Sequence, residues 1–283
     1  MKIDLKQMAA RANPGRRKRV VTIRDTPMPA VLASDLYASA YRPVVALIER
    51  YATLAAAEYE RSLSALITDS ADDLTSIFER MGQELASLVL LLRPSLRDWS
   101  VKVERRSRSA WRGAVLTASQ VDLDTLLGPQ DVETTLSDVL NWNVALVKDV
   151  GEQARGKISS AVFAGLRARS PAREVAAQIK EATGFARDRS LRIASHQLSS
   201  LSSSLARERR EQAGLSVYMW RHSAKLHPRV EHLARNGKLY SSDASMVGRE
   251  VDGKTVNEDV PANDRCGIRP FCGCREQSVL VFD

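Results

Sequence analysis

Apolar residues recur at spacings of three and four positions through most of the chain, from Ser34 to Ala213. This spacing predicts amphipathic α-helices. Pro94 and Gly184 interrupt the pattern, and we expect a helix to end at each of them because proline and glycine disfavour the helix interior. The aromatic content is only 5%, which favours helix over sheet in a region rich in Ala, Leu and Arg. The sequence therefore predicts a helical body over residues 34–214.

The character of the sequence changes after Gly214. Residues 215–220 and 278–282 are rich in strand-forming side chains, and turn signals containing glycine or proline fill the interval between them. At 283 residues the chain is longer than a typical single domain. We predict a mainly α fold, in which an N-terminal helical bundle is followed by a small, irregular α+β module over residues 215–283.

Positive charge is concentrated at the start of the chain. Residues 1–31 contain eight basic and two acidic side chains, and this difference, 8 − 2 = +6, is most of the net charge of +8. Together with several prolines, it predicts a basic extended or disordered arm over residues 1–33. The candidate contacts for DNA phosphates or another polyanion are Arg16, Arg17, Lys18 and Arg19. Docking on an acidic protein surface and simple solvation are the alternatives.

A second basic cluster lies within the helical body. Its members are Lys102, Arg105, Arg106 and Arg108. We interpret it as a solvated helix face, which is the commoner explanation for such a cluster.

Several classes of protein are disfavoured by what the sequence lacks. Its uninterrupted apolar runs fall short of the roughly 20 residues of a membrane span, and the first residues have no apolar signal-peptide core. We therefore expect a protein made and kept in a cytoplasm, without a membrane partner. Glycine-rich phosphate loops and a Gly-x-Ser-x-Gly nucleophile turn are also absent from the sequence. We expect that the protein is not an enzyme.

The cysteines and one histidine form the sharpest chemical pattern. Three cysteines, an odd number near the end of the chain, do not suggest a disulfide framework. His232, Cys266, Cys272 and Cys274 could supply one nitrogen and three thiolates to a tetrahedral structural zinc, which would help a small module to fold. Alternatively, His232 hydrogen-bonds a loop carbonyl and the cysteines are buried thiols. The sequence leaves both interpretations open.

A catalytic metal built from histidines is disfavoured by spacing. His222, His227 and His232 lie five residues apart. On a strand this spacing alternates faces, and on a helix it turns neighbours about 140° apart. We therefore do not expect these three side chains to meet in a metal nuclease.

The C-terminal region carries an ordered set of residues: Tyr218, Trp220, His222, Ser223, Pro228, Arg229, His232, Asn236, Gly237, Lys238, Tyr240, Cys272, Gly273 and Cys274. Their order and spacing resemble the phage Mu F-like family, the phage head morphogenesis or minor capsid proteins. The preceding helix up to Gly214 fits as well, so the likeness spans roughly residues 142–283. Two features depart from the family pattern: Ser195-His196 replaces a commoner Arg-Asp pair, and residues 261–270, with the extra Cys266, are arranged differently.

The resemblance implies a minor head protein of a tailed bacteriophage, located in the virion after assembly in the host bacterial cytoplasm. Such a protein binds the phage portal protein through its helical body, contacts other head proteins, and acts in capsid assembly or genome delivery, with packaged DNA near its basic arm. Within the module, the resemblance gives Trp220 the role of an anchor, Arg229 and His232 that of loop-fixing hydrogen bonders, and Gly237 that of a turn residue with positive φ.

Two other functions remain as alternatives to a head protein. One is a general DNA-binding protein, supported by the basic arm. The other is a toxin or nuclease-type effector that carries a Mu F-like module. We expect the second less, because the helical body and the module leave no region of this sequence for a separate catalytic domain.

Overall fold

The computed structural model describes residues 3–65, 70–124, 126–224 and 228–282. The fold is mainly α with a strand-containing C-terminal part, and the predicted fold class is confirmed. The helices are α1 (Leu5–Ala12), α2 (Val31–Leu36), α3 (Arg42–Ala65), α4 (Ser70–Ser119), α5 (Glu133–Ala168), α6 (Ala172–Gln212) and α7 (Val230–Ala234). A π-helical turn, Tyr37–Tyr41, joins α2 to α3. The strands are β1 (Val20–Thr22), β2 (Val217–Arg221), β3 (Leu239–Ser241), β4 (Glu250–Val251), β5 (Lys254–Glu258) and β6 (Arg275–Val281).

The predicted helix ends at Pro94 and Gly184 are wrong. The 50-residue α4 continues through Pro94, because that proline lies on the exposed side while Leu92 and Leu96 on either side of it are buried. Core packing on the opposite face outweighs the hydrogen bond that proline cannot form. Helix α6 likewise continues through Gly184, where the backbone has open space around it.

The predicted extended arm over residues 1–33 is also wrong. Helix α1 and strand β1 lie in this segment, and β1 pairs antiparallel with β6. Ile3, Leu5 and Ile23 are buried, so the segment belongs to a hydrophobic core. The high charge of the segment obscured these few apolar residues in the sequence.

The chain divides into two compact units. The first consists of Met1–Leu32, Ser100–Asp138 and His196–Asp283, and the second of Ala33–Trp99 and Val139–Ser195. One unit boundary, after Leu32, lies one residue from the predicted end of the arm. The others fall inside α4, α5 and α6 and not at residue 214. The predicted module over residues 215–283 therefore shares its unit with the N-terminal residues.

A six-stranded sheet organises the first unit, in the order β1-β6-β2-β3-β5-β4. Its pairs are antiparallel except β3 with β5. The strands predicted over 215–220 and 278–282 are confirmed as β2 and β6, which pair along five residues of β2. β6 lies between β1 and β2, so the last strand in sequence is an interior strand of the sheet.

Two buried ion pairs also hold the first unit together. Arg209 on α6 lies 2.9 Å from Glu104 on α4, and Arg210 lies 3.1 Å from Glu276 on β6. The four side chains are each 2% exposed. Because an unpartnered buried charge costs several kcal/mol, each of these residues requires its partner.

The second unit is helical and close-packed. Gly151 on α5 faces Leu85 on α4, and a Cβ at this glycine would lie 2.5 Å from the Leu85 methyl groups. The tyrosine Tyr59 on α3 donates a hydrogen bond of 2.8 Å to the Ser170 carbonyl just before α6. Residues 31–63 are long and apolar enough to cross a membrane by length and composition alone, two criteria that core helices also meet.

Candidate metal centre

His232, Cys272 and Cys274 meet in the interior of the first unit. His232 comes from α7, and the two cysteines come from the loop that enters β6. The His232 Nδ1 atom lies 3.5 Å from Cys272 Sγ and 3.7 Å from Cys274 Sγ. All three residues are buried, with 2–3% of their surface exposed. Their ligand atoms lie within 4.8 Å of one another, so this His-Cys-Cys cluster could hold a metal ion.

Backbone N–H groups lie beside both sulfur atoms. Those of Gly267 and Cys274 lie beside Cys272, and that of Ser223 lies beside Cys274. The hydrogen bond between the two thiols lowers the pKa of Cys272 and, together with burial, raises that of Cys274. In the metal-free protein, one thiolate is thus stabilised by the proton of the other thiol. A metal cation would replace that proton, because thiolates are the ligating form.

Asp264 orients the histidine. Its Oδ1 atom lies 3.0 Å from His232 Nε2. Because a carboxylate can only accept, Nε2 carries a proton, and Nδ1 is the nitrogen that faces the sulfur atoms. A carboxylate behind a ligating histidine is a common arrangement in metal sites, where it fixes the tautomer and raises the basicity of the ligand.

Two arginines keep Asp264 ionised. Arg235 Nη1 lies 2.6 Å and Arg269 Nε 2.5 Å from its carboxylate oxygens. Burial alone would raise the pKa of Asp264, but the hydrogen bonds from His232 and Arg235 lower it to about 2. We did not predict Asp264 from the sequence, because a single acidic residue in a loop has no spacing signal that links it to His232.

The residues that the resemblance marked as architectural surround the cluster. Trp220 is fully buried, and its ring meets the His232 ring edge-on at 5.1 Å between centroids. Arg229 donates a hydrogen bond of 3.0 Å to the Pro270 carbonyl and so fixes the loop that carries the cysteines. Gly237 has a φ of 78°, and the predicted positive φ is confirmed.

His196 on α6 supports the same loop from the helical side. Its Nδ1 accepts a hydrogen bond of 3.2 Å from the backbone N–H of Phe271, and the two rings lie 5.7 Å apart. Phe271 precedes Cys272 directly and has a positive φ of 60°, which is unusual for an aromatic residue. His196 is therefore a positioning residue for the cysteine loop, a role that the sequence did not reveal.

Within the described part of the chain, the other histidine and cysteine residues considered as metal ligands are not members of the cluster. Cys266 is fully buried among the same residues, but it is not a member of the three-residue cluster. His222 is not a member of the cluster, and its Nδ1 accepts a hydrogen bond of 3.1 Å from the Ala224 N–H. His227 lies outside the described residues. Among the described residues, the structure thus brings together three of the four predicted zinc ligands.

The cluster also contains the elements of a Cys-His-Asp triad, Cys272 with His232 and Asp264. A nucleophilic cysteine must be reached by its substrate. Here the sulfur-bearing residues are 2–3% exposed and are packed against aromatic rings and the β6 strand. The geometry therefore fits a closed metal site better than a catalytic thiol.

The basic segment before β1 is structured but exposed. Arg16 Nη1 donates a hydrogen bond of 3.0 Å to the Ala118 carbonyl at the end of α4, and its guanidinium lies 5.0 Å from the centre of the Phe282 ring. Arg17, Lys18 and Arg19 are exposed and form no ion pair with any residue that the structure describes. Arg16 thus anchors the segment and leaves three cations facing solvent.

No family model matches the chain, and no solved structure matches it. The chain is similar to an uncharacterized protein of Haemophilus influenzae, with 29% identity over 140 residues. This similarity covers 48% of the chain and 29% of the Haemophilus protein. The chain therefore spans well under half the length of that relative.

Proposed function

We propose that this chain is a minor head protein of a tailed bacteriophage, bound to the portal and acting in head assembly or genome delivery. Its role in this proposal is to position other proteins and not to catalyse a reaction. The proposal places the protein in the virion after assembly in the host bacterial cytoplasm. Its support from the sequence is the Mu F-like resemblance of residues 142–283.

One observation carries the proposal: the reactive side chains of the module are closed off from solvent. His232, Cys272 and Cys274 face one another in the core, with Asp264 behind the histidine. Structural metal sites are closed in this way, whereas catalytic sites keep a position open for water or substrate. A compact module stabilised from inside is suited to being held by a partner protein.

The metal that best fits the cluster is zinc. Two thiolates and an imidazole are soft to intermediate ligands, a combination that favours zinc over magnesium, calcium or manganese. In this proposal, His232 binds through Nδ1 and both cysteines bind as thiolates. The ion would join α7 to the loop before β6 and would thus add to the folding free energy of the module.

A contact with packaged DNA is a second part of the proposal. The three exposed cations Arg17, Lys18 and Arg19 could neutralise phosphates without reading sequence. The same observation supports a second candidate function, a DNA-binding protein that needs no portal. The two differ in their partner, because only a head protein requires a stable complex with a portal ring.

Co-expression with the portal protein of the same phage tests the main proposal. We expect the chain to co-purify with the portal ring and to carry zinc in the same sample. A variant in which Arg17, Lys18 and Arg19 are replaced by Gln should still bind the portal. Absence of a portal complex, together with salt-sensitive DNA binding, would favour the DNA-binding alternative. Nuclease activity that His232→Ala abolishes would favour an effector.

A further inference from the structure

A tetrahedral metal ion has four ligand positions, and the three residues of the His-Cys-Cys cluster would fill three of them. Structural zinc sites have four protein ligands. Among the described residues, Cys266 is a further candidate, because it is fully buried in the same group as Cys272 and Cys274.

The backbone of Cys266 is already close to the cluster. The next residue, Gly267, presents its backbone nitrogen to Cys272, and Cys266 itself is packed in the same buried group as Cys272 and Cys274. By covalent geometry the Cys266 Cα lies only about 2.4 Å from that nitrogen. A rotation about χ1 from one staggered rotamer to another is therefore the movement that would bring the Cys266 sulfur to the cluster.

Gly267 fixes this part of the backbone against α6. It has a φ of 78°, and a Cβ at this position would lie 2.8 Å from Ser203 Cβ and 3.1 Å from the Ser199 carbonyl oxygen. The close approach requires glycine. It holds residue 266 beside the cluster whichever way its side chain points.

The recorded hydrogen bond of Cys266 holds its backbone and not its thiol. Its carbonyl accepts a hydrogen bond from Arg207 at 3.4 Å, but its thiol has no hydrogen-bond partner within the described ranges. It is packed in the same buried group as Cys272 and Cys274. A divalent cation bound by the His-Cys-Cys cluster would deprotonate a Cys266 thiol that coordinates it.

We propose that Cys266 turns towards His232, Cys272 and Cys274 when the ion binds and becomes the fourth ligand, giving a closed Cys3His site. This inference rests on the metal site of the proposed function. It differs from that proposal in requiring a side-chain rearrangement on loading and a third thiolate. Arg207, which already contacts the Cys266 backbone, would lie near the additional negative charge.

Counting the sulfur ligands of the bound metal tests the inference. The full chain contains only three cysteines, so every sulfur bound to the metal comes from a known residue. We would measure X-ray absorption of the zinc-loaded unmodified protein and the sulfur-to-cobalt charge-transfer band of the Co²⁺ form. Three sulfurs and one nitrogen are expected.

Substitution identifies the third sulfur. Cys266→Ala should lower the cobalt charge-transfer intensity by about one third, to that of two thiolates, and should weaken zinc binding by more than the roughly 10- to 100-fold that loss of an outer partner costs. Cys272→Ala is the matched control, because it removes a thiolate whether or not Cys266 binds.

Each outcome decides a separate point. Two sulfurs on the metal of the unmodified protein would overturn the role of Cys266 and leave the three-residue site standing. Failure of the unmodified protein to bind Zn²⁺ or Co²⁺ would overturn the metal site itself. If Cys266→Ala does not fold, the sulfur count of the unmodified protein still gives the answer.

Discussion

Asp264 and His232 are joined by a hydrogen bond of 3.0 Å between Oδ1 and Nε2, at the centre of the C-terminal part of the fold. This bond determines which imidazole nitrogen is turned towards the carboxylate and which one is left to contact the cysteines. It holds the imidazole with its other nitrogen, Nδ1, towards two cysteine sulfurs.

Asp264→Asn should weaken zinc binding by about 10- to 100-fold, because the amide holds the imidazole less firmly and withdraws the negative charge that raises its basicity. Competition with a chromophoric chelator would measure the affinity. Asp252→Asn, a change at an exposed acidic residue, is the control and should have no effect. Equal affinities for Asp264→Asn and the unmodified protein would mean that His232 is not oriented by this carboxylate.

Acid should destabilise the metal-free protein partly through Asp264. Its pKa in the fold is about 2, below the ordinary value of 3.8. A depressed pKa stabilises the fold above the unfolded value, and that stabilisation is lost as the pH falls from about 3.8 towards 2. Urea unfolding between pH 2 and 6 should show a shallower loss for Asp264→Asn than for the unmodified protein. Parallel curves for the two proteins would contradict the assigned pKa.

Replacing Arg17, Lys18 and Arg19 together by Gln should reduce DNA binding, and the slope of log affinity against log salt should fall by about 0.9 for each phosphate that is no longer neutralised. Arg16 is kept because it anchors the segment. Fluorescence anisotropy with a random duplex at several salt concentrations would measure both quantities. Gln at Lys102, Arg105 and Arg106 is the matched control. If that control alone loses binding, the second basic cluster is the DNA contact.

Gly151→Ala should lower the free energy of unfolding by roughly 1–3 kcal/mol, because the added methyl group overpacks the buried Leu85 side chain. Gly156→Ala, further along α5, meets nothing within 4 Å. It should stabilise the helix by about 0.8–1.0 kcal/mol. Chemical denaturation of both variants would test the packing of the second unit. A stabilising Gly151→Ala would show that α4 and α5 are not in close contact there.

The sequence was informative where its signal is local. Helical periodicity predicted most of the helical residues, and the density of strand formers predicted β2 and β6. It failed where distant packing outweighs a local preference. Pro94 lies within a continuous helix because buried neighbours on the opposite face hold both halves of α4 in place. Ile3 and Ile23 stand among charged residues, which masked their role as core residues. Their backbone hydrogen-bond partners lie more than 200 residues away in the sequence.

The candidate site was likewise predictable only in those residues whose chemical type is a signal by itself. His232, Cys272 and Cys274 could be named from residue type, because few other side chains bind soft metals. Asp264 could not, since an acidic residue in a turn is ordinary until a fold places it 3.0 Å from an imidazole. The direction of the Cys266 side chain could not be predicted either, because the sequence alone does not specify a side-chain rotamer.

The position of β6 between β1 and β2 has a consequence for how the protein matures. Val20 emerges from the ribosome about 260 residues before its partner Val281, and until then β1 has no strand to pair with. Synthesis alone therefore delays closure of the sheet, and contacts so distant in sequence form slowly. Until β6 is made, repulsion between the exposed cations beside β1 would keep this unpaired segment soluble.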